Sequence, residues 1–330
     1  MLLTIAIPTY NRSTKLDETL NRLFKFIIDS KFKKEIILFV SNNGSNDDTL
    51  DILNKQRIIF ENNNIIFKYN SFINNQGFDI NVYKCYNECE SEYVWLLSDD
   101  DIINEGSIDK IFNDIKNYNP NIIYYNFNQR PYTVEKPYIL ENTFYARFNH
   151  NSLKKIINWP KLSTIVLRKF ANINRTNNTN LGFAHIELIM KIYYINGNLL
   201  LSKYFIGQPQ NDYLDNIDFP PYIGNNLNTS LLNTLKNINK LEYFDSLRIP
   251  YTDPTISSLN TLGCFYRGKH MLSHNLKKEL ELEIINNILN LPLRIFFNYK
   301  FYYELIKFII SLLFYYIMKI FFKKIITRLR

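Results

Sequence analysis

Over roughly its first 130 residues the chain alternates short, continuously apolar runs with stretches whose apolar residues recur at helical spacing. "LLTIAIP", "EIILFVS", "IIFKYN", "YVWLLS" and "NIIYYNF" are short and almost free of polar alternation, as strands covered on both faces are. Between the first two, Leu16, Leu20, Leu23, Phe24 and Ile27 repeat every three or four residues, behind a start signal at Thr14 with Asp17 and Glu18. A short helix is expected from about Asp48, another over roughly Asn81 to Cys89, and a third over "SIDKIFNDIKNY". Few architectures accept such alternation: the pattern predicts an α/β protein with a parallel, doubly wound sheet and right-handed crossovers. No period of 20 to 50 residues repeats, which argues against a solenoid.

Beyond residue 128 the pattern loosens. "LSTIVLRK" reads as a strand, "AHIELIMKIYYIN" as a helix and "LLLSKYF" as another strand. From about 225 the chain reads as helices broken at Pro250, Pro254 and Pro292. The net charge of +8 is uneven, because Lys307, Lys319, Lys323, Lys324, Arg328 and Arg330 against Glu304 place +5 of it in residues 301–330. A nucleic-acid binder carries its basic face through the fold, so this distribution speaks against one. The apolar stretch from Phe308 to Met318 is 11 residues long, short of the roughly 20 that span a bilayer. With its basic flanks it suits a helix lying in an anionic membrane interface, the competing reading being a C-terminal core or dimer helix. Cys85, Cys89 and Cys264 follow no apolar leader, as expected in a reducing cytosol, and two thiols four residues apart make a poor zinc site.

Ligands of open α/β sheets bind at the carboxyl ends of the strands. Three polar segments leave that edge: "PTYNR" after the first strand, "SNNGSND" after the second and "SDDD" after the fourth. The last is the most demanding. Two carboxylates about 4 Å apart repel by about 4 kcal/mol at an effective dielectric near 20. A shared proton or an intervening cation relieves this, and a hard divalent ion together with substrate phosphates is the usual solution. Helix capping accounts for one aspartate or two of Asp99, Asp100 and Asp101, but less readily for all three. No Gly-rich triphosphate loop, GxGxxG, HExxH or GxSxG pattern is present, which speaks against NTPase, dinucleotide, zinc-protease and serine-hydrolase chemistry.

"TIAIPTYNR", "EIILFVSNNGSNDDT", "NNQGFDIN" and "YVWLLSDDDII" together resemble family 2 glycosyltransferases, in motif order and in spacing, over about residues 2–110. The "LSDDD" form is similar to the branch that serves bacterial surface polysaccharides. The resemblance implies a GT-A (Rossmann-like) fold: a mostly parallel twisted sheet with flanking helices, followed by a helical C-terminal region. It implies that Pro8, Tyr10, Asn11 and Arg12 lie at the donor nucleotide, with the Tyr10 ring available for stacking. Asn42 and Asn43 stand where the family has carboxylates for base and ribose, and Asn75 and Gly77 stand near the diphosphate. Asp99 and Asp101 are the implied ligands of Mn²⁺ or Mg²⁺, with Asp100 toward the sugar. The family's catalytic Asp is absent, leaving His185 and Glu187 as alternative bases.

The expected organisation is a nucleotide-sugar half over 1–127, an acceptor half over 128–220, and a helical region over 221–330 with its membrane-associating helix at about 296–330. The function expected is metal-dependent, inverting transfer from a nucleoside-diphosphate sugar, UDP foremost, to a lipid-linked glycan. The enzyme would sit peripherally on the cytoplasmic face of the inner membrane. The alternatives are a non-catalytic sugar-nucleotide or glycan-binding relative and a sugar-nucleotide nucleotidyltransferase.

Overall fold

The computed structural model describes residues 1–128, 139–147, 149–157, 161–176, 181–209, 223–243 and 247. The C-terminal tail, Cys264 and the acidic segment with Asp212, Asp215 and Asp218 lie outside the described residues. Residues 1–210 and 230–248 form one compact unit, and the remaining residues a second.

In the first unit β1 (Leu3–Thr9), α1 (Ser13–Asp29), β2 (Ile36–Asn42), α2 (Thr49–Asn62), β3 (Ile66–Ser71) and α3 (Phe78–Asn87) lead into β4 (Tyr93–Leu96). Then come β5 (Asp101–Ile103), α4 (Ser107–Tyr118), β6 (Ile122–Phe127), β7 (Thr143–Tyr145), α5 (His150–Ile157), β8 (Ile165–Arg168), α6 (Ala184–Asn196) and β9 (Leu199–Pro209); of α7 (Ile223–Asn237) the residues from Ser230 on belong to this unit. The sheet runs β3-β2-β1-β4-β8-β6-β9-β5, with β7 also on β9. β3, β2, β1 and β4 are parallel neighbours, and β6 pairs in parallel with β9. β8, β5 and β7 run the other way. The expected parallel series is therefore interrupted: β8 inserts between β4 and β6, so the fourth and fifth expected strands are not neighbours.

Every residue of β1, β2, β4 and β6 is buried, which matches their unbroken apolar sequences. α1 begins at Ser13, and its first free amide is capped from outside by Asp47 (Ser13 N–H to Oδ2, 2.9 Å) rather than by a box at Thr14. α2 is longer than expected, with 14 residues. Its buried face includes Gln56, which donates to Asp17 and Asn21 on α1 and hides the apolar stripe from a sequence reading. α3 begins three residues earlier than expected, after Gly77 at φ 90°. Cys85 and Cys89 are buried free thiols, packed as core residues.

Candidate active site

The loops following β1, β2 and β3 and the acidic segment between β4 and β5 meet at the carboxyl edge of the parallel strands. The first two are stapled together: the Asn11 amide donates to Ser45 Oγ (2.9 Å), and the Asn46 amide donates to Asn11 Oδ1 (2.9 Å). Asn11 adopts φ 52°, a left-handed conformation that asparagine tolerates. Tyr10 stands partly exposed beside it, while Pro8 is buried inside β1 in register with Ser41.

The loops after β2 and β3 are joined by amides. Asn43 Nδ2 donates to Asn75 Oδ1 (2.8 Å), and Asn43 Oδ1 accepts from the Gln76 amide (2.9 Å). Asn75 Oδ1 also accepts the Gly77 amide (2.8 Å). Asn42 donates to Ser71 Oγ (3.0 Å) and accepts from the Ser45 amide (3.1 Å). Asn42 and Asn43 are 1% and 3% exposed, so both side chains are committed to holding loops rather than presented to a base. Gly44 sits at φ 72°, where an added Cβ would lie 2.6 Å from the Asn74 carbonyl carbon.

The three aspartates occupy three different environments. Asp99 is buried and accepts from Thr9 Oγ1 (2.7 Å) and Arg12 Nη1 (2.9 Å). Asp100 is partly open, accepting from the same Arg12 nitrogen (2.7 Å) and from Ser98 Oγ (2.6 Å). Asp101, buried as the first residue of β5, pairs with Pro209 of β9, accepts from Ser163 Oγ and lies 3.6 Å from Lys161 Nζ. Burial lifts the Asp99 carboxyl to about 6, Arg12 resisting and Asp100 adding to the rise. Burial lifts Asp101 as well, against Lys161. Asp100 moves the other way: burial works against its charge, but Arg12 and the Ser98 hydroxyl outweigh it. Like-charge repulsion is thus already relieved within the protein, with Arg12 bridging one carboxylate pair and Lys161 beside the third. Sequence reasoning missed Ser163 and Lys161, which reach the site from the turn before β8 and follow no pattern visible in the sequence.

The other half of the site gathers at the start of α6. His185, in its first turn, is buried, with Phe78 (centroids 6.4 Å apart) and Phe183 (6.0 Å) beside its ring. Glu187 is buried in an ion pair with Lys191 (2.7 Å) and accepts the Thr176 amide. Its burial penalty is outweighed by those bonds, which keep the carboxyl below its ordinary range. Asp79, which sequence reasoning also passed over, reaches across from α3. It accepts the amides of Leu181 (2.7 Å), Gly182 (3.1 Å) and Ala184 (3.0 Å), fixing where α6 begins. Among the described residues, no cluster of three or more His, Cys, Asp or Glu side chains is arranged to hold a metal by itself. The donor set still suits a hard divalent ion, because its oxygens are carboxylates on the ligand-binding edge and a protein cation already bridges two of them.

A mostly parallel α/β sheet with a carboxylate cluster on its ligand-binding edge agrees with the GT-A fold, the class to which the superposing solved structures belong. The model of "Glycosyl transferase family 2" matches residues 4–177, just over half of the chain, and the protein belongs to that family. Abequosyltransferase RfbV of Salmonella typhimurium is 32% identical over 108 residues, which are 33% of this chain and 31% of that relative. The match thus spans about a third of the curated relative's length. The structure of S. aureus TarS 1–349 in complex with UDP-GlcNAc superposes with a TM-score of 0.55 at 18% identity, covering 87% of this chain and 89% of that one. Mannosyltransferase PcManGT from Pyrobaculum calidifontis, in complex with GDP-Man and Mn²⁺, gives 0.53 at 10% identity, covering 94% and 86%. At such identities these two structures speak for the fold.

Proposed function

We propose that this protein transfers a sugar from a nucleoside-diphosphate donor to a hydroxyl of a growing surface polysaccharide. The observation that carries the reading is the convergence of four segments on one sheet edge, with Asp99, Asp100 and Asp101 among them. The similarity to RfbV supports the polysaccharide context, and the neighbours holding UDP-GlcNAc or GDP-Man support the donor class.

Tyr10, the partly exposed ring of the first loop, stacks on the base, and the 72–77 loop faces the diphosphate. Because Asn42 and Asn43 hold loops, backbone groups of the 43–46 and 72–75 segments are left to read the base edge. Asp99 and Asp101, the expected ligands, are the residues that would hold Mn²⁺ or Mg²⁺, joined by Asp100, which shares Arg12 with Asp99 and is the most open of the three. Bound there, such an ion would supply charge neutralisation for a departing diphosphate. His185 takes the proton of the acceptor hydroxyl, since an imidazole can act as a general base and Glu187 is tied up as the partner of Lys191. Attack opposite the leaving group inverts the anomeric centre. The first 127 residues supply the donor half and 128–220 the acceptor half. A lipid-linked acceptor, and attachment to the cytoplasmic membrane face through the basic stretch near 296–330, complete the reading.

A binding-only relative remains a distinct second reading, favoured by the fact that every aspartate already has a protein partner. Titration calorimetry of UDP, CDP, GDP and dTDP with and without Mn²⁺ tests the donor site. Binding of one nucleotide only with metal supports the reading, and silence from all four with folded protein overturns it. Release of nucleotide from the matching sugar donor then separates enzyme from binding module.

A further inference from the structure

Two protein cations neutralise the acidic segment, and they are built differently. Lys161 has a side chain only 19% exposed, stands 3.6 Å from Asp101 and lies 5.0 Å from the centre of the Phe127 ring, a packed position. Arg12 has a side chain 46% exposed, and one of its nitrogens, Nη1, touches both Asp99 (2.9 Å) and Asp100 (2.7 Å). A guanidinium does not lose its proton in proteins, so it can leave the carboxylates only by moving. Arg12 caps the start of α1 with its backbone, and that role does not depend on where its side chain points.

We propose that Arg12 is the resting counter-cation of Asp99 and Asp100, and that it yields this place to a divalent ion only when a nucleoside diphosphate arrives to receive the guanidinium. The inference rests on the donor-site reading above and adds an order of events: metal and nucleotide enter together, and metal alone binds poorly. Arginine suits the second station as well as the first, because its fork of donors fits phosphate oxygens as it fits carboxylates. Competition between the guanidinium and the ion is a coupling between two ligands of one carboxylate pair, so removing either one strengthens the other.

The test uses the full chain and Mn²⁺ alone, followed by electron paramagnetic resonance of the unbound ion. Without nucleotide, Arg12→Gln should hold Mn²⁺ about tenfold more tightly than the wild type. Adding Asp100→Asn to that variant should erase the gain. Arg12→Lys, which keeps a charge, should fall between them and guards against a glutamine variant that does not fold. Mn²⁺ affinities within twofold of each other across wild type, Arg12→Gln and Arg12→Lys would overturn the proposal, as would a gain that survives Asp100→Asn. The outcome is separable from failure of the donor reading, which would appear as absent nucleotide binding whatever the metal does.

Discussion

Two polar clusters share one sheet edge and illustrate opposite uses of buried polarity. The amide cluster of Asn42, Asn43 and Asn75 is neutral, and each of its bonds named above ends on another protein group. The carboxylate cluster of Asp99, Asp100 and Asp101 is charged, partly open at Asp100, and balanced by a half-exposed arginine. A buried amide that finds both a donor and an acceptor becomes scaffold, because breaking it strands a polar group at a cost of about 1–3 kcal/mol. A carboxylate held by a side chain with access to water can exchange that partner for a ligand. The same contrast accounts for an amide at position 43: Asn43 must donate to Asn75 as well as accept from Gln76, and a carboxylate only accepts.

The contrast can be broken most decisively at Asp101. Asp101→Ala should lower metal-dependent nucleotide affinity by about a hundredfold or more, since it removes one carboxylate and leaves Lys161 without its partner. Calorimetry with Mn²⁺ measures this, and wild-type affinity would mean that the acidic segment is scaffold like its neighbour. In the amide cluster, by contrast, the large effects should be on stability. Gly44→Ala places a methyl against the backbone of residues 74 and 75 at a left-handed φ, and should cost about 3 kcal/mol in denaturant unfolding. A loss under about 1 kcal/mol would show that the two loops part easily.

A finer comparison lies within the amide cluster. Asn43→Asp should cost about 2 kcal/mol, because a carboxylate then faces Asn75 Oδ1. Asn42→Asp should cost less than about 1 kcal/mol, since the Ser71 hydroxyl can turn and donate to it. Equal losses at the two positions would refute the idea that two-way bonding selected asparagine.

A last comparison concerns pH. With Asp99 lifted by burial to about 6, the native state takes up its proton before the unfolded chain does, near 3.8. Wild-type stability relative to Asp99→Asn should therefore rise as pH falls from 7 through 6, and level off below about 4. Differential melting temperatures across that range report it; a relative stability that instead declines on acidification would mean that Arg12 holds Asp99 below its ordinary range.

Much of the fold is legible in the residues because buried strands and helix stripes are local signals. β1, β2, β4 and β6 announce themselves as apolar runs, and α4 falls on its expected residues, Ser107–Tyr118. What escaped has a common cause. Gln56 disguised the buried face of α2, Asp47 supplied a helix cap from another loop, and β5 was masked because it opens on a buried aspartate. In each case the satisfying partner is distant in sequence.

The sequence by itself determined the alternating α/β architecture and the gathering of polar segments at strand ends, since both follow from spacing and from the rule that ligands meet such sheets at one edge. Only the tertiary structure decided which polar residues remain available there. Asn42 and Asn43 were turned inward to hold loops, and Asp79 was sent across to fix the start of α6. It also inserted β8 between β4 and β6, bringing Ser163 and Lys161 to Asp101. Hydrogen-bond and charge partners are chosen by proximity in space, and proximity between residues 29 to 105 positions apart exists only once the sheet has formed.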